Sequence, residues 1–509
     1  MAAVTTITGN VTELRYSEET SFRVANGSAV WRLLEPNSYE SFGGQYQNVA
    51  RNPIDSDRQR KKGVLTDLDA SGGFNSDLTA SNLQDLFQGF FFADLRLKDE
   101  HEAITGVDAT DDEFEAASGL DAFAAGSLIF AAGFTNSANN GLHLVSTSSA
   151  TALGVDSDLV TETPPAGATL TRVGVQAGAG DLDVDVSGTF PALTSTTLDF
   201  TTLGLIAGEW VYVGGDAAGL AFANAVNNGF KRIRSVAANR LEFDKSDSTM
   251  ITESSTTETV QLFFGRVLKN ETGSLIKRRT YQLERLLGAP DDANLSQVQS
   301  EYLVGAVANE LTINVGMADK VTCGLAFIAA DHETRSGTTG VKAGTRPALR
   351  QEDAFNTSSD FSRIRLAVVS DTDEAPTPLF AFVTDLSVTI SNNATPLKAI
   401  GTLGAFEVNV GQFTVSGSMT AYFSSIDAIA AIRNNSDITF DVAIAAKNKG
   451  ILLDMPLVTL GDGRANVEQD SPITLPLTLE AASGEPIGTA FDHTCLMCFF
   501  PYLPDAAET

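Results

Sequence analysis

The chain has 509 residues, which at roughly 100 to 200 residues per domain argues for two to four domains, and its 43% hydrophobic content places it away from disordered chains. Lys and Arg number 34 against 64 Asp and Glu, a formal net charge of −30, which argues against a nucleic-acid binder and against adsorption to anionic membranes, since both need clustered cations. Three cysteines are too few for a disulfide framework, and the apolar stretch 124–134 (AAGSLIFAAGF) is far short of the roughly 20 residues that cross a bilayer as a helix.

The opening residues, MAAVTTITGN, have neither a basic region nor an apolar run, so no secretory signal is expected and folding in a cytoplasm is. Next come Tyr16-Ser17-Glu18-Glu19-Thr20 and an apolar stretch around Val30-Trp31-Arg32-Leu33. One basic cluster stands against the acidic trend. Arg51, Arg58, Arg60, Lys61 and Lys62 fall in RNPIDSDRQRKKG, between Gly43-Gly44 and Gly63, and their expected partners are acidic surfaces of other copies of the chain. The bland reading is an exposed loop with locally paired charges. After LTDLDASGGF (65–74), a short helix is expected over 81–87 (SNLQDLF), with Ser81 and Gln84 as a capping box.

Between about 108 and 261 the sequence becomes rich in small and polar residues, and the segment resembles itself. Ala125-Gly126-Ser127-Leu128-Ile129-Phe130 aligns with Ala207-Gly208-Glu209-Trp210-Val211-Tyr212, Asn139-Asn140-Gly141-Leu142 with Asn227-Asn228-Gly229-Phe230, and Val160-Thr161-Glu162-Thr163 with Ile251-Thr252-Glu253-Ser254. Two copies of a small β module, about 115–172 and 197–261, are therefore expected, each turning at its Asn-Gly. They would form an inserted domain, 111–261, between parts of a larger β domain at 1–110 and 262–509. The string Asp181-Leu182-Asp183-Val184-Asp185-Val186 has the start of a calcium loop, but Val186 and Ala192 stand where glycine and glutamate are required. It reads as a strand with one solvated acidic face.

The C-terminal half alternates with period two: Leu386, Val388 and Ile390; Ile438, Phe440, Val442 and Ile444; Ile473, Leu475, Leu477 and Leu479. These are expected to be half-buried strands. The longest alternation, from Phe406 to Phe423, slips phase at Gly411, where a bulge is expected. A second helix is expected over 424–434, capped by Ser424 and Asp427. Cys495 and Cys498 form a C-x-x-C after His493, but an extended chain points them to opposite faces and no second ligand pair follows. Cys323 reads as a strand hydrophobe.

His101, His143, His332 and His493 belong to no catalytic motif, and the carboxylate runs Asp111-Asp112-Glu113 and Asp291-Asp292 lie in polar loops. No catalytic, metal-binding or cofactor-binding residue is expected. The fold class expected from these elements is mainly β: an antiparallel sandwich or barrel with a short helix, interrupted by the paired insertion.

The order of features in the first hundred residues, through Leu86-Phe87-Gln88-Gly89-Phe90, and the long alternating strands, helix and terminal strands of 262–509 resemble the tail tube proteins of tailed bacteriophages. The resemblance covers about 360 residues. It implies a structural virion protein whose β-sandwiches form rings, usually hexamers, that stack into a tube with a tape-measure protein in the lumen. Tail terminator and distal tail proteins are its other implied partners, and genomic DNA passes through without specific binding. An acidic lumen would repel phosphates. In such proteins a long N-terminal loop reaches an adjacent ring, a role that falls here on about 43–63. The extra residues are expected to decorate the outside of a long non-contractile tail, of siphophage type, assembled in the host cytoplasm. A β-rich surface adhesion or glycan-binding protein is the competing class, although no signal is seen and most of the chain is not repetitive. Another phage structural protein, a capsid or sheath subunit, is a third.

Overall fold

The computed structural model describes residues 7, 9–54, 56–289, 298–349, 351–370, 372–380 and 382–508. The first six residues and Asp291-Asp292 lie outside them. The protein is mainly β, with antiparallel strand pairing in its sheets and, among the described residues, two α-helices, α1 (Gln84–Phe91) and α2 (Asp427–Asn434). No closed barrel is found among the described residues.

The chain divides into two compact units. The first comprises Met1–Ala93, Ser274–Ala354 and Asp385–Ser418. Its longest strand, Gln299–Gly316, pairs along its length with Tyr281–Gly288, Thr322–Ala329, Asp331–Ser336 and Val383–Ser391, with Leu311 opposite both Leu325 and Ile390. Thr322–Ala329 alternates strictly and pairs in turn with Lys61–Asp77, Phe74 facing Leu325. α1 covers this layer: Phe87 and Phe90 are fully buried, and the Phe90 and Phe327 rings meet edge to face with centroids 5.3 Å apart. Gly89 is required by that packing, because a Cβ there would lie 2.6 Å from the Tyr281 hydroxyl.

α1 starts later than the sequence suggests. The expected capping box does not form: the Ser81 hydroxyl and backbone N–H both donate to the Glu352 carboxylate at 2.8 Å, and the helix opens at Leu83 without a side-chain cap. The Ser424 cap expected for α2 does not form either: the helix opens at Ile426 without a side-chain cap, and the Asp427 N–H donates to the Ser425 hydroxyl at 3.3 Å. The expected bulged strand 406–423 is two strands, Glu407–Asn409 and Thr414–Tyr422, separated at Gly411. The Gly411 N–H donates to Asn392 at 2.9 Å, and a Cβ would stand 2.9 Å from Asn393, so the chain breaks here to pass another backbone.

The second unit comprises Asp94–Gly273, Phe355–Thr384 and Met419–Thr509, so the C-terminal segment packs with the middle of the chain. Ile438–Ala446 pairs with Phe361–Val368 and Lys449–Asp462 and is buried on both faces rather than one. Its second face is covered because Ala443, Ala445, Leu452, Leu496 and Phe500 share a core with Leu128, Trp210, Phe230 and Phe263 of a separate 14-stranded sheet. That is sandwich packing: two sheets joined through one apolar layer.

Every strand of the 14-stranded sheet lies between Glu100 and Phe263. Its first half runs Ile104–Asp108, Glu113–Ala116, Ala152–Val155, Gly141–Ser148, Ser127–Ala132, Thr169–Gln176 in space. The second half continues from Gln261–Phe263 through Trp210–Val213, Gly229–Ala237, Arg240–Ser246 and Ala192–Thr194 to Asp183–Asp185, the mirrored order, with Glu253–Ser254 added at the edge. Each half has its own core, around Phe114, Phe123 and Leu153 in one and Phe200, Leu241 and Phe243 in the other. The same side-chain brace recurs. Asn140 accepts from the Phe134 N–H and donates to its carbonyl, both at 2.9 Å; Asn228 does so with Phe222 at 3.0 and 2.9 Å. Asn-Gly is therefore not a two-residue turn here. It ends a longer loop that the asparagine holds shut, and the glycines enter the next strand at positive φ.

Candidate assembly interface

The strands Pro36–Arg51 and Lys61–Asp77 begin in the sheet of the first unit and then leave it. Lys61–Asp77 keeps its second neighbouring strand only as far as Ala70, paired with Ala329; among the described residues, 61–69 pair as a strand with the other hairpin strand alone. The departure is marked by a register shift between Glu40 and Gly43, with Ser41 and Gly43 at positive φ. Close approach also demands glycine: a Cβ on Gly72 would lie 2.6 Å from Leu303, and one on Gly44 2.7 Å from Leu68. At about 3.4 Å per residue, the free two-stranded ribbon extends about 30 Å.

Its base is fastened by charge and aromatic contacts. Lys398 Nζ bridges Asp67, at 2.6 Å, and Asp69, and Gln47 donates to Asp69 at 2.9 Å. Hydrogen bonding from Lys398 holds the Asp67 carboxyl below its ordinary range. The Arg285 guanidinium lies 4.6 Å from the Phe42 ring and donates to the Phe42 carbonyl.

The five expected cations meet at the far end. Arg51 closes one strand opposite Lys61, Lys62 follows, and Arg58 and Arg60 lie in the connecting tip; all five are exposed. Among the described residues, none forms an ion pair with Arg51, Arg58, Arg60 or Lys62. The shaft carries what the sequence reading missed. Val49 and Val64 are cross-strand partners 57% and 52% exposed, and Tyr46, Ile54 and Leu65 are also exposed. Both faces of the ribbon are thus open to water. An isolated two-stranded ribbon is marginal in stability, and bare valine pairs on one are a surface awaiting cover.

Other candidate sites resolve as structural. Cys323, Cys495 and Cys498 are buried, and burial pushes all three thiols up. The acidic string is not simply solvated: burial raises the Asp181 carboxyl, but hydrogen bonds from Ser195, Thr196 and Thr197 outweigh it and leave the group at about 2, while Asp185 pairs with Arg240 at 2.6 Å. Among the described residues no group of three or more His, Cys, Asp or Glu is placed to hold a metal ion. No described helix is long and apolar enough to cross a membrane.

The acidity is unevenly divided. The second unit holds 41 Asp and Glu against 16 Lys and Arg, a net −25, and the first 23 against 18, a net −5. Comparison with known proteins finds that residues 9–481 match a family described as phage tail tube protein. No curated protein matches the chain.

Proposed function

The chain belongs to the phage tail tube protein family and is a structural protein of the virion tail, self-assembling there beside other tail components; from that premise we propose that its copies form stacked rings, six to a ring, joined through the basic ribbon. The observation that carries this reading is the ribbon itself, a projection of about 30 Å with open apolar faces and, among the described residues, no ion pair to Arg51, Arg58, Arg60 or Lys62 at its tip, in a chain of net charge −30. A free monomer gains nothing from such a projection, whereas a neighbouring copy covers it and supplies the opposite charge.

The tube conducts the genome past an electronegative wall, with the tape-measure protein in the lumen before that, and tail terminator and distal tail proteins at its ends. Neither unit is net positive, so the wall does not attract phosphates whichever of them lines it. The paired modules of 111–261 decorate the outside of a long non-contractile tail. Negative-stain microscopy of the purified protein tests the proposal: hollow rings of six and stacked tubes are expected, and monodisperse monomers at all concentrations would contradict it. A contractile sheath around the tube in virions would sink the assignment to a non-contractile tail.

A further inference from the structure

The ribbon supplies one half of a contact, and the distribution of charge points to the other. Residues 101–199 contain 14 Asp and Glu and one cation, Arg172, whose guanidinium is held by Asp99 at 3.0 Å. The fold gathers part of that acidity at one corner of the first module. The Leu159 N–H donates to Asp112 at 2.9 Å, the Ala109 N–H donates to the Thr161 hydroxyl at 3.1 Å, and Val107 bridges to Glu162. These bonds bring the turn at 108–112 against the segment 156–162. Asp111, Asp156 and Asp158 are exposed there, beside Val160, itself 43% exposed.

The second module has no matching corner. Asp185 is taken by Arg240, and Asp247 is engaged by the Phe230 N–H and by Arg363. Among the described residues, no cation forms an ion pair with Asp111, Asp156 or Asp158, and no acid forms one with Arg58, Arg60 or Lys62.

We propose that the ribbon of one copy docks on this corner of a second copy, with Arg58, Arg60 and Lys62 facing Asp111, Asp156 and Asp158 and the valine pair of the shaft meeting Val160. This rests on the ribbon being a subunit contact and names the surface that receives it. Two chains of charge −30 repel at long range, so a contact between them must be local. Pairing opposite charges within the Debye length of about 8 Å fixes where on the neighbour the ribbon lands. The apolar faces then bury against each other, and the ribbon becomes a covered element.

The native thiols are all buried, which makes crosslinking selective. Gln59→Cys combined with Asp158→Cys, oxidised mildly after tube assembly, is expected to give disulfide-linked ladders of the full chain. Arg58→Glu with Arg60→Glu is expected to raise the concentration needed for tubes at least about tenfold, and adding Asp111→Lys with Asp158→Lys to restore it. Circular dichroism checks that each variant folds. If reversing the ribbon stops assembly while reversing the corner neither stops nor rescues it, and no ladder forms, the receiving surface is wrong and the ribbon remains an interface. If reversing the ribbon leaves assembly unchanged, the interface reading falls as well.

Discussion

Lys245 sits inside the second unit, its ammonium without a hydrogen-bond partner among the described residues, near a dense ionic set. Arg232 there binds Asp244 at 2.7 Å and Asp454 at 3.1 Å, and Arg363 binds Asp441. Burial, with Arg232 adding repulsion, pushes Lys245 down to about 8; burial likewise lowers Lys231 to about 8. Both groups bind protons more weakly when folded than when unfolded, so stability rises as pH climbs from about 8 to about 10. Lys245→Met is expected to stabilise the protein by roughly 1–3 kcal/mol at pH 7 and to make that rise shallower, measured by denaturant unfolding across pH. A loss of stability would show that the ammonium is satisfied. At Asp181 the charged form is instead the one the fold favours. Its lowered carboxyl contributes stability that is present above about pH 4 and lost as pH falls towards 2. Asp181→Asn is expected to cost about 1 kcal/mol at neutral pH, kept small by solvent exposure, and to flatten the acid limb of the unfolding curve.

The ribbon makes a prediction at the level of the element. Amides of residues 45–50 and 62–67 are expected to exchange rapidly in the unassembled subunit, since water reaches both faces, and to become protected in the tube. Equal protection in both states would mean that assembly does not cover the ribbon. What was legible in the sequence follows from locality. Alternation located Val383–Ser391 and Thr474–Ala482, and a run of cations flanked by glycine located the ribbon tip. The apolar shaft was not legible, because Val49 and Val64 have the same pattern as core residues until one knows that no layer covers them. Burial of both faces of Ile438–Ala446 depends on a sheet nearly two hundred residues away in sequence, and the Ser81 cap was lost to Glu352, a competitor 271 residues distant. The mirrored strand order of the 14-stranded sheet is long-range in the same way.

At the scale of the whole molecule, the net charge of −30 is two quantities. A second unit at −25 keeps copies apart in solution, and a first unit near neutrality carries the cationic ribbon. On the proposed reading, this division lets like-charged copies repel while the ribbon contact remains available for polymerisation. Electron microscopy of the purified chain beside the variant Arg58→Glu, Arg60→Glu, Lys62→Glu, at matched concentration and ionic strength, tests this account most directly. It predicts hollow tubes from the parent chain and folded, dispersed subunits from the variant, and equally abundant tubes from both would contradict it.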